Sequence, residues 1–198
     1  MSSNLETVDN FKLTLQAIES CRECEGRIPE PNPIVRLHPN ASILIIGQAP
    51  GIKVHESKVP WNDASGKRLR EWMGVSDDEF YDVENVALVP MGFCYPGKGK
   101  SGDLPPRKEC APKWHPSVMK LLENVQVTLL IGTYAQSHYL QDEHKTLTDR
   151  VKAWKDFAPR TFVLPHPSPR NQFWLTRNAW FTESVVPAMQ SAIRQQLR

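Results

Sequence analysis

Apolar residues follow two patterns along the chain, one typical of helices and one typical of buried strands. In residues 5–20 they recur at roughly helical spacing, which predicts an amphipathic helix. Four later segments are short apolar runs without alternation, as expected for parallel strands covered on both faces. These predicted strands are 42–46, 86–89, 127–131 and 161–164. Helices are predicted between and after them, at 67–73, 112–123 and 133–140 and from about 176 to 198.

The alternation of strands with helical segments predicts an α/β protein. We expect a three-layer α/β/α architecture around a central parallel sheet of about four strands. The chain has no internal repeat, and its length suits one domain over residues 1–198. Sites in such folds lie beyond the carboxyl ends of the strands. Polar loops rich in Gly and Pro follow three of the strands there, at 47–51, 91–107 and 165–171.

Composition and charge narrow the class of protein. With 40% hydrophobic and 23% charged residues, the chain resembles a folded domain and not a disordered segment. A formal net charge of +2 excludes a strongly basic nucleic-acid coat protein but allows a local basic face. The longest apolar run, Ile43–Ile46, is too short to cross a bilayer, and no secretory signal is evident. We therefore expect a cytoplasmic protein with no membrane partner, and a monomer.

Four cysteines form two spaced pairs. Cys21 and Cys24 are a C-x2-C pair, and Cys94 and Cys110 are a C-x15-C pair. Structural disulfides are not expected in a reducing compartment, whereas C-x2-C presents two thiolates to one metal centre. Ligation by thiolates alone suits zinc or an iron–sulfur cluster, and spacing does not separate the two. Unrelated reduced thiols are the alternative interpretation.

Two loops that should meet at the strand ends carry candidate chemistry. The turn at 47–51, Gly-Gln-Ala-Pro-Gly, offers backbone N–H groups that can hold an anion or a carbonyl oxygen. His166 lies between two prolines, which restrain the backbone and so the direction of the imidazole. A plain turn and a structural histidine are the alternatives for these two features.

These loops and the order of the cysteines resemble the uracil-DNA glycosylase superfamily, most closely its iron–sulfur branch (family 4). That branch has a C-x2-C pair and, after a long gap, a second pair that spans a loop. It also has a G-E-A-P-G motif followed by Pro-Phe, and a final H-P-S or H-P-A motif. The corresponding segments here, besides the cysteines, are Gly47–Gly51, Pro60-Trp61 and His166–Ser168.

The resemblance implies a DNA glycosylase of base excision repair, acting on single- or double-stranded DNA. Its reaction would hydrolyse the N-glycosidic bond of an extruded damaged base, with uracil as the first guess. His166 would stabilise negative charge on the departing base, and Gln48 would orient water. The remaining implied substrate-binding residues are Gly47, Ala49, Pro50, Gly51, Trp61, Ser168 and Arg170.

Within that set, the resemblance gives several residues a distinct role. Trp61 would stack on the base, and Arg170 stands where the superfamily often has an apolar wedge. Ser168, together with Lys98 and Lys100, would contact phosphates. The resemblance also implies a [4Fe–4S] cluster, with zinc as the alternative, held by Cys21, Cys24, Cys94 and Cys110.

The sequence departs from the family pattern at two positions. Gln48 replaces the glutamate of G-E-A-P-G, which leaves Glu56 or Asp63 as the nearest carboxylates that could activate water. Pro90 stands where the family has a base-reading asparagine, and the nearest asparagine, Asn85, should lie far from the site.

These departures support a second hypothesis beside a glycosylase with weak discrimination. In it, the chain is an iron–sulfur DNA-binding protein of the same fold without efficient catalysis. A third hypothesis, a small α/β hydrolase with a zinc site, would make the ordered motifs accidental.

Overall fold

A computed structural model of the chain describes the backbone of residues 2–197 and the side chains of residues 10–197. The side chains of residues 5–9, which belong to the predicted amphipathic helix, and residue 198 of the predicted closing helix lie outside the described part. The strands are β1 (Ile43–Ile46), β2 (Val86–Leu88), β3 (Lys98–Gly99), β4 (Gly102–Asp103), β5 (Val127–Ile131) and β6 (Thr161–Leu164).

Helices connect and flank these strands. The α-helices are α1 (Ser2–Glu19), α2 (Ile52–Ser57), α3 (Ala64–Met73), α4 (Asp77–Tyr81), α5 (Cys110–Leu121), α6 (Gly132–Tyr139), α7 (Leu147–Lys152), α8 (Gln172–Arg177) and α9 (Val186–Arg194). Among the described residues, no helix combines the length and the apolar character that crossing a bilayer would need.

The central sheet has four parallel strands in the order β2-β1-β5-β6. Because alternate residues of a strand point to opposite faces, each strand contributes to two separate cores. Ile43 and Ile45 of β1 pack with α3 and α9, whereas Leu44 and Ile46 pack with α1, α5 and α6. This arrangement confirms the predicted three-layer α/β/α fold.

The strands are where the apolar runs predict them, but several short elements are not predicted. The loop predicted up to Gly66 contains α2, which has a single buried residue, Val54, and therefore no visible apolar period. The segment predicted as a plain loop at 95–107 contains the β3–β4 hairpin. The helix α4 begins with a capping box formed by Ser76 and Glu79. The Ser-x-x-Glu spacing of this motif can be recognised in the sequence.

The prediction of one closing helix from about 176 to 198 is wrong. The first helix of this region, α8, ends at Arg177, because Asn178 leaves the helical conformation at φ −128° and ψ 53°. A π-helical turn at Phe181–Val185 follows and leads into α9, which has Pro187 in its first turn. The break allows α8 to lie beside the loop that follows β6.

Candidate active site

A cavity of about 490 Å³ lies beyond the carboxyl ends of the central strands. Its volume is within the range of about 300–1,000 Å³ that is typical of small-ligand sites. Nine of the residues predicted to act on the base or the DNA line it: Gly47, Gln48, Ala49, Pro50, Gly51, Trp61, His166, Ser168 and Arg170. The loops after β1 and β6 therefore meet at one site.

His166 is held in a defined orientation and protonation state. Its Nδ1 accepts the backbone N–H of Ser168 at 3.2 Å, and its carbonyl oxygen accepts Nδ2 of Asn171 at 2.7 Å. Burial lowers the pKa of His166, a shift partly opposed by the negative charge of Asp63. The ring is thus neutral at pH 7, and because Nδ1 is an acceptor, the proton lies on Nε2.

Gln136 stabilises the carboxyl end of β6, which directly precedes the His166 loop. This side chain of α6 is fully buried, and its Nε2 donates to the carbonyl oxygens of Leu130 and Leu164. One amide therefore joins the carboxyl ends of β5 and β6. Sequence reasoning missed Gln136, because a glutamine in a helix carries no sign of the strands it will contact.

Trp61 forms one wall of the cavity and packs directly on His166. The two rings are 5.9 Å apart between centroids and inclined by 29°. Trp61 has a left-handed backbone, with φ of 57°, and its carbonyl oxygen accepts Nη1 of Arg70 at 3.3 Å. The indole also packs against the core on the α3 face. It is thus both a core contact and an aromatic face beside the imidazole.

Two glycines allow this placement of Trp61. A Cβ on Gly66 would lie 1.7 Å from the Trp61 carbonyl oxygen, and a Cβ on Gly47 would lie 2.7 Å from the indole. We expect Gly66→Ala to lower the free energy of unfolding by at least about 3 kcal/mol, because a rigid backbone carbonyl has to move. Urea denaturation measures the change.

Gly51→Ala is the matched control for this substitution. A Cβ at Gly51 would meet only the Asp103 carboxylate, at an ordinary contact distance of 3.4 Å. We expect its cost to stay below about 1 kcal/mol. Equal stability of the Gly66→Ala variant and the wild type would contradict the tight approach of Trp61.

Pro90 lines the cavity beside the turn at 47–51. The backbone N–H groups of Met91 and Gly92 donate to the carbonyl oxygens of Gly47 and Gln48, both at 2.9 Å. The Pro90 carbonyl is directed away, because it accepts Nε2 of the buried His115 at 3.0 Å. Position 90 therefore presents a pyrrolidine ring to the cavity and no side-chain hydrogen-bonding group.

The expectation that Asn85 lies away from the site is confirmed. Asn85 is buried before the first residue of β2, at the end opposite the cavity, and its side chain donates to Asp82. Its side chain therefore takes no part in the cavity lining.

Two carboxylates line the cavity, and only one of them was a sequence candidate. Asp63 caps α3 by accepting the N–H of Gly66 at 2.8 Å, and its negative charge opposes the lowering of the His166 pKa. Glu56, the other candidate, is exposed on α2 and is not part of the lining. The second carboxylate is Asp103 of β4. Burial, and then the negative charge of this carboxylate, raise the pKa of Tyr95. No local pattern marks Asp103.

The mouth of the cavity is closed on one side by the β3–β4 hairpin. Arg170 reaches across and donates from Nη1 to the Ser101 carbonyl oxygen at 2.9 Å. The Ser168 hydroxyl accepts the backbone N–H of Arg170 at 3.3 Å and so stabilises the turn. Lys98 lines the cavity, whereas Lys100 is exposed outside the lining.

The four cysteines surround a separate, smaller cavity of about 20 Å³. They come from the segment after α1, the loop after β2 and the start of α5. Burial raises the pKa of the Cys94 thiol to about 11 and that of Cys110 to about 12. The backbone N–H of Phe93 donates to Sγ of Cys110 at 3.3 Å. Arg107 and Lys113 also line this cavity.

The chemistry of this donor set fits an anionic thiolate-bound group. The N–H donor would offset part of the charge of thiolates that burial alone disfavours, whereas Arg107 and Lys113 are already paired with Glu109 and Glu23. Within the described part of the chain, no three His, Cys, Asp or Glu side chains are grouped tightly enough to hold a single metal ion. A four-iron cluster differs from one ion because each cysteine binds its own iron, so the sulfurs need not converge on one point.

One comparison with known proteins bears on the whole site. The family model described as the uracil DNA glycosylase superfamily matches residues 35–190, well over half of the chain. The match contains the turn at 47–51, Trp61, the His166 loop and the second cysteine pair, and it begins after Cys24. The members of this family act on DNA. On the strength of this match and of the cavity where its segments meet, the chain belongs to the uracil DNA glycosylase superfamily.

Proposed function

We propose that this protein is a DNA glycosylase that removes a damaged base, with uracil as the first candidate substrate. The observation that carries the proposal is His166, a neutral imidazole with its proton on Nε2, in a cavity built with the turn at 47–51. Superfamily membership supports the reaction class. The choice of uracil rests on the resemblance of the motifs.

In the proposed reaction, the bond between C1′ of the sugar and the base nitrogen breaks, and its electron pair leaves with the base. Nε2–H of His166 donates a hydrogen bond to the base oxygen where negative charge develops. Neutral imidazole suits this role, because it stabilises the anion without having first to lose or gain a proton. Trp61 offers an aromatic face to the base, worth roughly 1–3 kcal/mol in comparable stacking interactions.

The sugar becomes an oxocarbenium cation that water then attacks at C1′; the proton that this water loses passes to solvent, and the departed base anion takes up one proton from solvent. Asp63 is the carboxylate we assign to this step, because it lines the cavity together with His166 and its charge acts on that ring. Its negative charge would stabilise the cation and accept a hydrogen bond from the attacking water. Gln48 lies in the same lining and would orient the water through its amide.

We further propose that the four cysteines hold a structural [4Fe–4S] cluster, with zinc as the alternative. The cluster would join the segment after α1 to the loop that carries Pro90 and to α5. The mutual proximity of the four thiols around one cavity supports this assignment. The cytoplasmic location and the monomeric state inferred from the sequence remain predictions.

The experiment that tests the function is an excision assay on defined oligonucleotides. Each would carry one uracil or one hypoxanthine, as a single strand, opposite guanine, or opposite its Watson–Crick partner. We expect uracil release to be weak, and fastest from single strands and mismatches, where extrusion costs least. Tight DNA binding without release of either base would favour the second hypothesis, a DNA-binding protein that lacks efficient catalysis.

Pro90→Asn is expected to raise the rate of uracil excision roughly tenfold, the effect of about one added hydrogen bond. The asparagine amide would reach into the lining at the position where the family pattern reads the base. Single-turnover kinetics on U:G and U:A duplexes and on the single strand measure the change.

Pro105→Asn is the control, because Pro105 is exposed on the same loop outside the cavity lining. Robust excision from U:A pairs by the wild type, unchanged in Pro90→Asn, would show that other residues read the base.

A further inference from the structure

Phe173 is the most exposed large apolar side chain in the described part of the chain. It is 83% exposed, and the next most exposed, Leu13 on α1, is 62% exposed. Its neighbours on α8 behave differently. Trp174 donates Nε1 to the Thr148 hydroxyl and packs on Phe181, and Leu175 joins the same core. The helix is thus anchored by two residues while the aromatic ring beside them contacts solvent.

The backbone that carries Phe173 is fixed to the loop of His166. Asn171, two residues earlier, donates to the His166 carbonyl oxygen at 2.7 Å. Arg68 of α3 donates to the Ser168 carbonyl oxygen at 3.3 Å and to Oε1 of Gln172 at 3.1 Å. The ring of Phe173 therefore projects from a braced segment next to the candidate active site, and not from a free loop.

Arg170, at the wedge position of the family pattern, is already engaged. Its guanidinium donates to the Ser101 carbonyl oxygen and lies 2.7 Å from the place where a Cβ on Gly102 would be. To enter a base stack, Arg170 would have to leave the hairpin and bring its charge among the bases. The exposed ring of Phe173 could enter the stack without breaking a contact of this kind.

A DNA duplex supplies a suitable partner for an exposed ring at this place. Arg68 and Arg177 lie beside and on the same segment and are suited to the phosphates on either side of a base step. Phenylalanine is one of the apolar side chains that proteins insert between bases to unstack and kink DNA. Extrusion of one nucleotide leaves a gap that such a ring can occupy.

We propose that Phe173 inserts into the base stack of duplex DNA next to the extruded nucleotide, and that Arg170 instead holds the hairpin over the cavity. This assignment rests on the proposed glycosylase function. Phe173 is a positioning residue in it, since it acts on the stack and not on the reacting atoms. Its contribution should be confined to duplex substrates, because a single strand has no stack to hold open.

The test compares single-turnover excision of uracil from a U:G duplex and from the same single strand. Phe173→Ala should lower the duplex rate by roughly tenfold or more, the scale of the energy needed to unstack a base, and change the single-strand rate by less than about twofold. Phe173→Leu should restore most of the duplex rate. Arg170→Ala should instead lower both rates by similar factors, because it loosens the cavity wall.

Leu13→Ala is the matched control, an exposed apolar residue on α1 whose loss should change neither rate. Equal losses on both substrates for Phe173→Ala, or no loss at all, would overturn the proposal. A concentration-dependent dimer in the wild type that Phe173→Ala abolishes would also overturn it, since the ring would then cover a second copy of the chain.

A second measurement does not depend on catalysis. A duplex with a stable abasic-site analogue would carry 2-aminopurine as the neighbouring base, whose fluorescence reports its stacking. Binding of the wild type should change this fluorescence, and Phe173→Ala should bind with little change. If the wild type excises no base even from single strands, the glycosylase function fails, while this fluorescence change still decides whether Phe173 inserts.

Discussion

Replacing His166 with alanine is expected to lower the single-turnover rate of base excision by roughly 10²–10³-fold, the effect of losing one donor to a developing anion. The side chain is half-buried beside Trp61, and its Nε2–H is the donor available to the base. Because burial keeps the imidazole neutral, the wild-type rate should not fall until the pH is below about 6.5, the ordinary pKa of histidine. A rate profile against pH on the single-stranded substrate measures both effects.

His38→Ala is the matched control, because it removes a histidine that precedes β1 at the opposite edge of the sheet. Its excision rate should equal that of the wild type. His166→Gln, which keeps a side-chain N–H donor, should retain more activity than the alanine variant. Full activity of His166→Ala on a verified substrate would remove this residue from the proposed role.

The sheet and the meeting of the two loops were predictable from local sequence. A buried parallel strand needs apolar residues on both faces, so each strand leaves a continuous apolar run that is hard to mistake. Parallel order then places the ends of β1 and β6 at the same edge, and with them Gln48 and His166. Neither inference requires knowledge of distant contacts.

The rest of the site depends on contacts between segments far apart in the chain. Gln136 matters because two strand ends reach it, and Asp103 because a two-residue strand turns it toward the cavity. Neither residue stands in a periodic pattern. The exposure of Phe173 is also a tertiary result, since its neighbours Trp174 and Leu175 find partners and it does not.

The candidate active site and the cysteine cavity share one stretch of chain. Pro90 lines the candidate active site, and Gly92 lines the cysteine cavity. Phe93 and Cys94 follow Gly92 directly and also line the cysteine cavity. His115 of α5 connects the two, because it bonds the Pro90 carbonyl oxygen and stacks on Phe93, 5.7 Å between ring centroids. Burial lowers the pKa of His115 to about 4, so the ring is neutral and Nε2 is the donor to Pro90. A group that holds Cys94 and Cys110 in place would therefore also hold Pro90, which lines the candidate active site.

Cys110→Ala is accordingly expected to lower the free energy of unfolding by more than about 4 kcal/mol, in the range seen when a structural metal site is lost. The thiol is partly buried at the start of α5 and accepts the N–H of Phe93, so its loss would release both the proposed cluster and this loop. Thermal unfolding followed by circular dichroism measures the stability. Iron, acid-labile sulfide and zinc per chain identify what the wild type holds.

The metal content of the wild type and the stability of the Cys110→Ala variant distinguish three possible states of the cysteine site. A brown wild-type protein with about four irons per chain, and a colourless, unstable Cys110→Ala variant, would support the cluster. About one zinc per chain, lost in the variant, would support the alternative metal. A stable wild type with neither metal and four titratable thiols would contradict a shared centre. In the first two cases excision should fall together with folding, whereas His166→Ala should lower excision by roughly 10²–10³-fold in a protein that keeps its full metal content and its melting temperature.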